Sequence, residues 1–226
     1  MKNTIRLGIL FAVALMLNTH DAGAAKVQGR EGMLPLGTKA PDFQLKDVVT
    51  GKQVSRDDFV GRKVLAVLFI CRHCPYVQHV KQGLAKLGRD YAPGGVSGAA
   101  SASGSHAGKD VAIVAISSND PAAYPEDSPA SLKEMALQEG FAFPFLFDET
   151  QGVARAYTAV CTPDCFVFDQ GRRLVYRGQF DDSRPGKKEP VTGRDVRAAI
   201  EAVLAGRPVS PDQKPAVGCS IKWRKE

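Results

Sequence analysis

The chain has 226 residues, 44% of them hydrophobic and 24% charged, with a formal charge of +6. This composition excludes a disordered polymer and suits one globular domain of about 150–200 residues with a sizeable core. Lys and Arg are scattered, the densest group being Lys222–Lys225 at the end, which argues against a nucleic-acid or anionic-membrane partner.

Residues 1–24 read as a secretory signal. Lys2 and Arg6 precede the apolar run Leu7–Leu17, and Ala22-Gly23-Ala24 offers small residues for cleavage. The run is far shorter than the roughly 20 apolar residues that span a bilayer. The chain is therefore expected to be exported, periplasmic if its source is a Gram-negative bacterium, with no stable membrane insertion after cleavage. Cleavage would lower the formal charge to +5 and leave five cysteines, at 71, 74, 161, 165 and 219, where disulfides persist. An odd count leaves at least one thiol unpaired.

Residues 25–33 form a polar lead-in to a domain predicted over 34–207. Pro41–Leu45 alternates polar and apolar residues and predicts a strand, with Gly51 as a turn before Lys52–Ser55. Lys63–Ile70 is almost continuously apolar, the pattern of a strand buried on both faces. Val77, Val80, Leu84, Leu87 and Tyr91 then recur at helical spacing, so Cys71 and Cys74 fall where a buried strand feeds a helix. Residues 94–108 are a low-complexity Gly/Ser/Ala insertion predicted as a surface loop. Asp110–Ser117 predicts a second buried strand, and Ser128-Pro129 starts a helix that Gly140 ends. A short strand at Phe143–Phe147 and a short helix at Gly152–Tyr157 follow. Asp164–Phe168 and Arg173–Gln179 make a hairpin around Asp169–Arg172. Thr192 is expected to cap a last helix with Val196, Ile200, Val203 and Leu204 inward. Residues 208–226 form a Pro-rich tail on or near the domain. This order predicts an α/β protein, a central mixed β-sheet flanked by helices on both faces, and it matches the thioredoxin-like fold.

The chemistry points to Cys71-Arg72-His73-Cys74. A thiol attacks only as its thiolate, which the positive end of a helix and its free N–H groups favour. Cys71 is the expected exposed nucleophile, His73 adds a cation that stabilises its thiolate, and Cys74 resolves the mixed disulfide. A stabilised thiolate makes the pair more oxidising than a strong reductant on a scale of roughly −270 to −120 mV. Zinc would need four ligands, and no second CxxC or spaced histidine pair supplies them; haem attachment is excluded because Pro75 follows Cys74. Copper on Cys71, Cys74 and His79 is the metal alternative, against a solvated His79. Thr162-Pro163, ahead of a strand, is a place for a cis proline. In that conformation the Thr162 backbone offers a pairing edge to a substrate peptide, with Cys161 near the active thiols. Cys165 reads as an inert buried thiol. Cys219 on the tail can pair with Cys161, as a relay or as a staple, and spacing alone leaves that open.

From about Leu34 to Trp223 the chain resembles the peroxiredoxin-like branch of the thioredoxin superfamily, the alkyl hydroperoxide reductase and thiol-specific antioxidant group. Leu36–Phe43, Phe69–Val77, Ala115–Asp120, Cys161–Asp164, Gly178–Pro185 and Gly218–Trp223 carry the resemblance. It implies a redox-active disulfide with no other cofactor and no metal, a proline at Pro163 facing the CxxC, and a protein thiol or disulfide or a small thiol as partner. Peroxide is the alternative substrate that the family name implies. The motif departs from the peroxidase signature: with Cys74-Pro75 aligned to the peroxidatic Cys-Pro, Cys71 stands where that signature has Thr and Val67 where it has Pro. Disulfide exchange therefore ranks first, thiol peroxidase second and copper handling third. The insertion at 94–108 and Cys165, in place of an aromatic residue, are further departures.

Overall fold

The computed structural model describes residues 32–91 and 110–225. Backbone contacts divide the chain into Met1–Arg30 and Glu31–Glu226, and every described residue belongs to the second unit. The signal, most of the lead-in and the 94–108 insertion lie outside the described residues.

Seven strands form one sheet in the order β2-β1-β5-β4-β3-β7-β8, comprising β1 Gln44–Asp47, β2 Gln53–Ser55, β3 Val64–Phe69, β4 Val111–Ser117, β5 Phe145–Phe147, β7 Asp164–Phe168 and β8 Leu174–Gly178. The central strands β3, β4 and β5 are parallel, while β7, β8, β1 and β2 join antiparallel, so the sheet is mixed. The remaining elements are α1 Pro75–Tyr91, α2 Pro129–Glu139, α3 Gly152–Ala156, α4 Arg194–Leu204, and a separate ribbon of β6 Cys161–Thr162 with β9 Cys219–Ser220.

The fold follows from β3. Every residue of β3 is buried, and alternation sends Val64, Ala66 and Leu68 to one face and Leu65, Val67 and Phe69 to the other. The first face packs under α1, α2 and α4 through Val80, Leu84, Leu132, Met135, Val196 and Ile200. The second packs under Phe43, α3 and an aromatic group in which Tyr157 meets Phe69, Phe166 and Phe168 at centroid distances of 5.5–5.9 Å. Two faces covered in this way are what the run at 63–70 requires.

Two sequence expectations shift. The first strand begins at Gln44 rather than Pro41, because Pro41 supplies no N–H for a ladder; Phe43 still enters the core. Thr192 is not the cap of the last helix. Gly193 holds that place at φ 65°, and the Asp181 carboxylate accepts the N–H groups of Thr192 and Gly193, both at 2.7 Å. The Thr192 hydroxyl still accepts the N–H of Arg194 at 3.3 Å, and a carboxylate eleven residues upstream holds the two residues ahead of the helix.

Arg177 and Asp164 form an ion pair of 3.2 Å that is almost wholly buried, with the guanidinium 4.7 Å above the Phe166 ring. Phe166 therefore supports both the aromatic group and a buried charge. Phe166→Ala is expected to cost about 3–5 kcal/mol, read as a fall in the thermal midpoint of the reduced chain. A loss below about 1 kcal/mol, the scale of a surface change, would show that the group collapses around the gap without strain.

Candidate active site

Strand β3 ends at Phe69 and α1 begins at Pro75, so residues 70–74 form the turn that presents both cysteines. Pro75 suits the first helical position, where its missing N–H would have no partner. Cys71 Sγ shares a hydrogen bond of 3.1 Å with the Thr162 hydroxyl, and Cys74 Sγ as a thiol donates to the Thr162 carbonyl at 3.1 Å. The Thr162–Pro163 peptide is cis. Residues about ninety positions apart in sequence thus meet because β3 and β7 are neighbours, in the register Phe69 with Asp164.

A residue that sequence reasoning missed holds this turn. Asp127 is completely buried, and its Oδ1 accepts the N–H groups of Arg72 at 2.7 Å and His73 at 3.0 Å. Its Oδ2 bonds to His73 Nδ1 and accepts from Asn119 Nδ2 at 2.8 Å. The His73 ring stacks on Tyr124 at 4.7 Å, and Arg72 reaches over α2 to the Ser131 carbonyl at 2.9 Å and to Glu134. Read locally, Glu126-Asp127 before Ser128-Pro129 is only the acidic start of a helix. Nothing in the sequence announces a partner 54 residues away.

The arrangement corrects the exposure expected of Cys71. Cys71 and Cys74 are both fully buried, so neither is an exposed nucleophile. The two thiols act on each other. A hydrogen bond from Cys71, with the N–H groups of Val77 at the start of α1 and of Cys219, draws the Cys74 thiol well below its ordinary value near 9. The bond to Cys74, burial and the Asp127 carboxylate push Cys71 up. The Thr162 hydroxyl acts the other way and lowers Cys71. His73 Nδ1 lies 3.7 Å from Cys71 Sγ, yet its ring is committed to Asp127, whose own charge opposes a Cys71 thiolate.

The other cysteines separate. Cys161 and Thr162 are successive on β6 and face opposite ways; Cys219 pairs with Thr162 and so shares its face, while Cys161 pairs with Ser220. Cys219 meets Cys74, while Cys161 stays near enough to both for their charges to act on it. Cys161 contacts its own neighbour, the Pro163 carbonyl, at 3.9 Å, and burial pushes its thiol up to about 12. Cys165 lies wholly buried in β7 with its thiol raised by burial. Among the described residues, Cys71, His73 and Asp127 are the group whose donor atoms lie within 4.8 Å of one another; half-buried His79 is not part of it, and its Nε2 has no hydrogen-bond partner.

The tail closes the site. Ile221 is buried and donates to the Val160 carbonyl at 3.2 Å. Lys222 donates its N–H to Asn119 Oδ1 at 2.8 Å, and its carbonyl accepts from Asp120 and Gln151. Asn119 thus joins Asp127 to the tail directly. Gly218 presses on β6 so closely that a Cβ there would stand 1.9 Å from the Thr162 carbonyl oxygen, a clash with backbone that nothing nearby relieves.

Paired thiols at a helix start, beside a cis proline on a mixed α/β sheet, define a thioredoxin-fold redox protein. The AhpC/TSA family model matches residues 36–177, and the chain belongs to that family. An uncharacterized conserved protein from Geobacillus kaustophilus is 48% identical with a TM-score of 0.77, covering 86% of this chain and 95% of that one. A hypothetical protein from Sinorhizobium meliloti is 43% identical at the same TM-score, covering 85% and 97%. A thiol:disulfide interchange protein of the thioredoxin family from Chlorobium tepidum, 17% identical, shares the fold with a TM-score of 0.52 over 76% of this chain and 99% of its own. No curated protein matches.

If Asp127 sets the ionisation order, Asp127→Asn should keep an acceptor for the turn and remove the charge beside Cys71. The Cys71 titration is then expected to move down toward its ordinary range, followed by thiolate absorbance against pH in the reduced chain. In the native chain one thiolate should persist well below pH 9, since Cys74 is depressed and loses its charge only as pH falls through its lowered value. An Asn variant with an unchanged titration would remove Asp127 from the electrostatics.

Proposed function

We propose that this redoxin is an exported thiol-disulfide oxidoreductase that exchanges disulfides with a protein or small-thiol partner through Cys71 and Cys74. The observation that carries the reading is the contact of two buried thiols at the start of α1, each bonded to Thr162 next to the cis proline. A partner disulfide is attacked by the Cys74 thiolate, which the N–H groups of Val77 and Cys219 hold ready. One partner sulfur bonds to Cys74 and the other leaves as a thiolate. Cys71 then gives up its proton and attacks Cys74, releasing the second sulfur and leaving a Cys71–Cys74 disulfide. Thr162 positions both sulfurs, and Asp127 with His73 fixes the turn that carries them. The reverse sequence oxidises a partner dithiol.

Thiol peroxidase activity is the second reading. It is favoured by Cys74 carrying the charge directly before Pro75, where the family places its attacking cysteine. Against it, Cys71 and Val67 occupy the positions where the peroxidase signature has Thr and Pro. Export rests on residues 1–24, and the partner would then be met outside the cytoplasm.

Reduction of a model protein disulfide by a thiol donor, with hydrogen peroxide consumption measured in parallel, tests the reading. Disulfide reduction should dominate, and Cys74→Ser and Cys71→Ser should each slow it by about a hundredfold or more, as for members of a catalytic unit. Peroxide turnover exceeding disulfide reduction would transfer the assignment to the peroxidase. Fractionation of the native host should find a chain beginning near Ala25 outside the cytoplasm; a full-length chain inside would overturn export.

A further inference from the structure

We propose that the C-terminal segment is a tethered substrate of the site, and that Cys219 is a third redox residue which takes Cys74 from Cys71 to form a Cys74–Cys219 disulfide. The proposal rests on the function given above and names a regulated state of the same site.

Four observations converge. Strand β9 pairs antiparallel with β6, setting Cys219 opposite Thr162, so the chain's own tail occupies the backbone edge beside the active thiols. That edge is a short strand of the kind an extended peptide would otherwise join through backbone hydrogen bonds. Second, the pairing puts the Cys219 side chain on the face of Thr162 that carries both active sulfurs. Third, Gly218 permits the approach, since any side chain there would overlap the Thr162 carbonyl. Fourth, the segment is fastened on both sides of the site: the Lys214 carbonyl accepts from Gln179, and Ile221 and Lys222 are bonded to Val160, Asn119, Asp120 and Gln151. Cys219 is therefore held in place at the thiols, and a partner reaches Cys74 only by displacing β9.

The step is an isomerisation and needs no external oxidant beyond the one that made the Cys71–Cys74 bond, a partner disulfide. Cys219 loses its proton and attacks Cys74 Sγ; the Cys74–Cys219 bond forms, the Cys71–Cys74 bond breaks, and Cys71 leaves as a thiolate that takes up a proton. One disulfide and one thiol exist before and after. In the reduced protein, burial and the Cys74 anion hold the Cys219 thiol up at about 11. Oxidation of Cys74 removes that anion, so Cys219 becomes a better nucleophile when its target appears. The product pins β9 over the site, and a reductant must open it before another partner can enter.

The test oxidises the reduced full chain with an equivalent of oxidised glutathione, quenches with acid, and maps disulfides by mass spectrometry of digests. The native chain should give both Cys71–Cys74 and Cys74–Cys219 linkages, and Cys71→Ser should collect in Cys74–Cys219. In a folded Cys71→Ser chain, a glutathione adduct persisting on Cys74, or a link from Cys74 to Cys161, would overturn the proposal. Gly218→Val keeps both active cysteines and gives an independent readout. Lifting β9 should abolish the Cys74–Cys219 linkage and speed alkylation of Cys74 at pH 6 by tenfold or more, and an unchanged rate would overturn the strap. A native chain that forms Cys71–Cys74 without ever linking Cys219 sinks this inference alone. One that accepts no disulfide from glutathione or from the model protein sinks the proposed function itself.

Discussion

The site depends on one buried carboxylate. Asp127 accepts two backbone N–H groups of the Cys-Arg-His-Cys turn, binds the His73 ring and takes a fourth donor from Asn119. A buried charge is costly unless its lone pairs are filled, and here four donors fill them. The same bonds fix the turn between β3 and α1, so the position of both sulfurs is set from outside the motif. They also bear on the thiols: the bond to Cys74 and burial push Cys71 up and the Asp127 carboxylate adds to that rise, while Cys74 at the start of α1 is lowered.

Asn119 extends this control to the tail. One amide side chain donates to Asp127 and accepts from Lys222, so the turn that carries the thiols and the segment that covers them share a hydrogen-bonded link. The geometry suits a redox site that is closed at rest. Sulfur chemistry at Cys74 and pairing of β9 with β6 occupy one space, and Gly218 is what lets backbone meet backbone there. Access is thereby tied to the state of the thiols, as part of the reading in which Cys219 competes with a partner.

Much of the fold is legible in the sequence because it is written in local periodicity. The continuous apolar runs at 63–70 and 110–117 become β3 and β4, and the stripe from Val77 to Tyr91 becomes the buried face of α1. The hairpin around Asp169–Arg172 appears as β7 and β8. Capping is less legible: Thr192 sits one residue ahead of the cap Gly193, and its hydroxyl shares the helix start with the Asp181 carboxylate, which the loop at 179–183 brings to the N–H groups of Thr192 and Gly193.

The sequence by itself determined where the candidate site lies, since a CxxC between a buried strand and an amphipathic helix is a local pattern with a local physical cause. Tertiary structure decided what each cysteine touches. Cys161 and Cys219 look equivalent along the chain, but the two-residue period of a strand and the register of β6 with β9 turn one away and bring the other to Cys74. Likewise Asp127, a carboxylate 54 residues from His73 that adds to the rise of the Cys71 thiol, reaches the turn only through the packing of the segment ahead of α2 against it. Electrostatics and strand pairing act through space, and sequence spacing records neither distance.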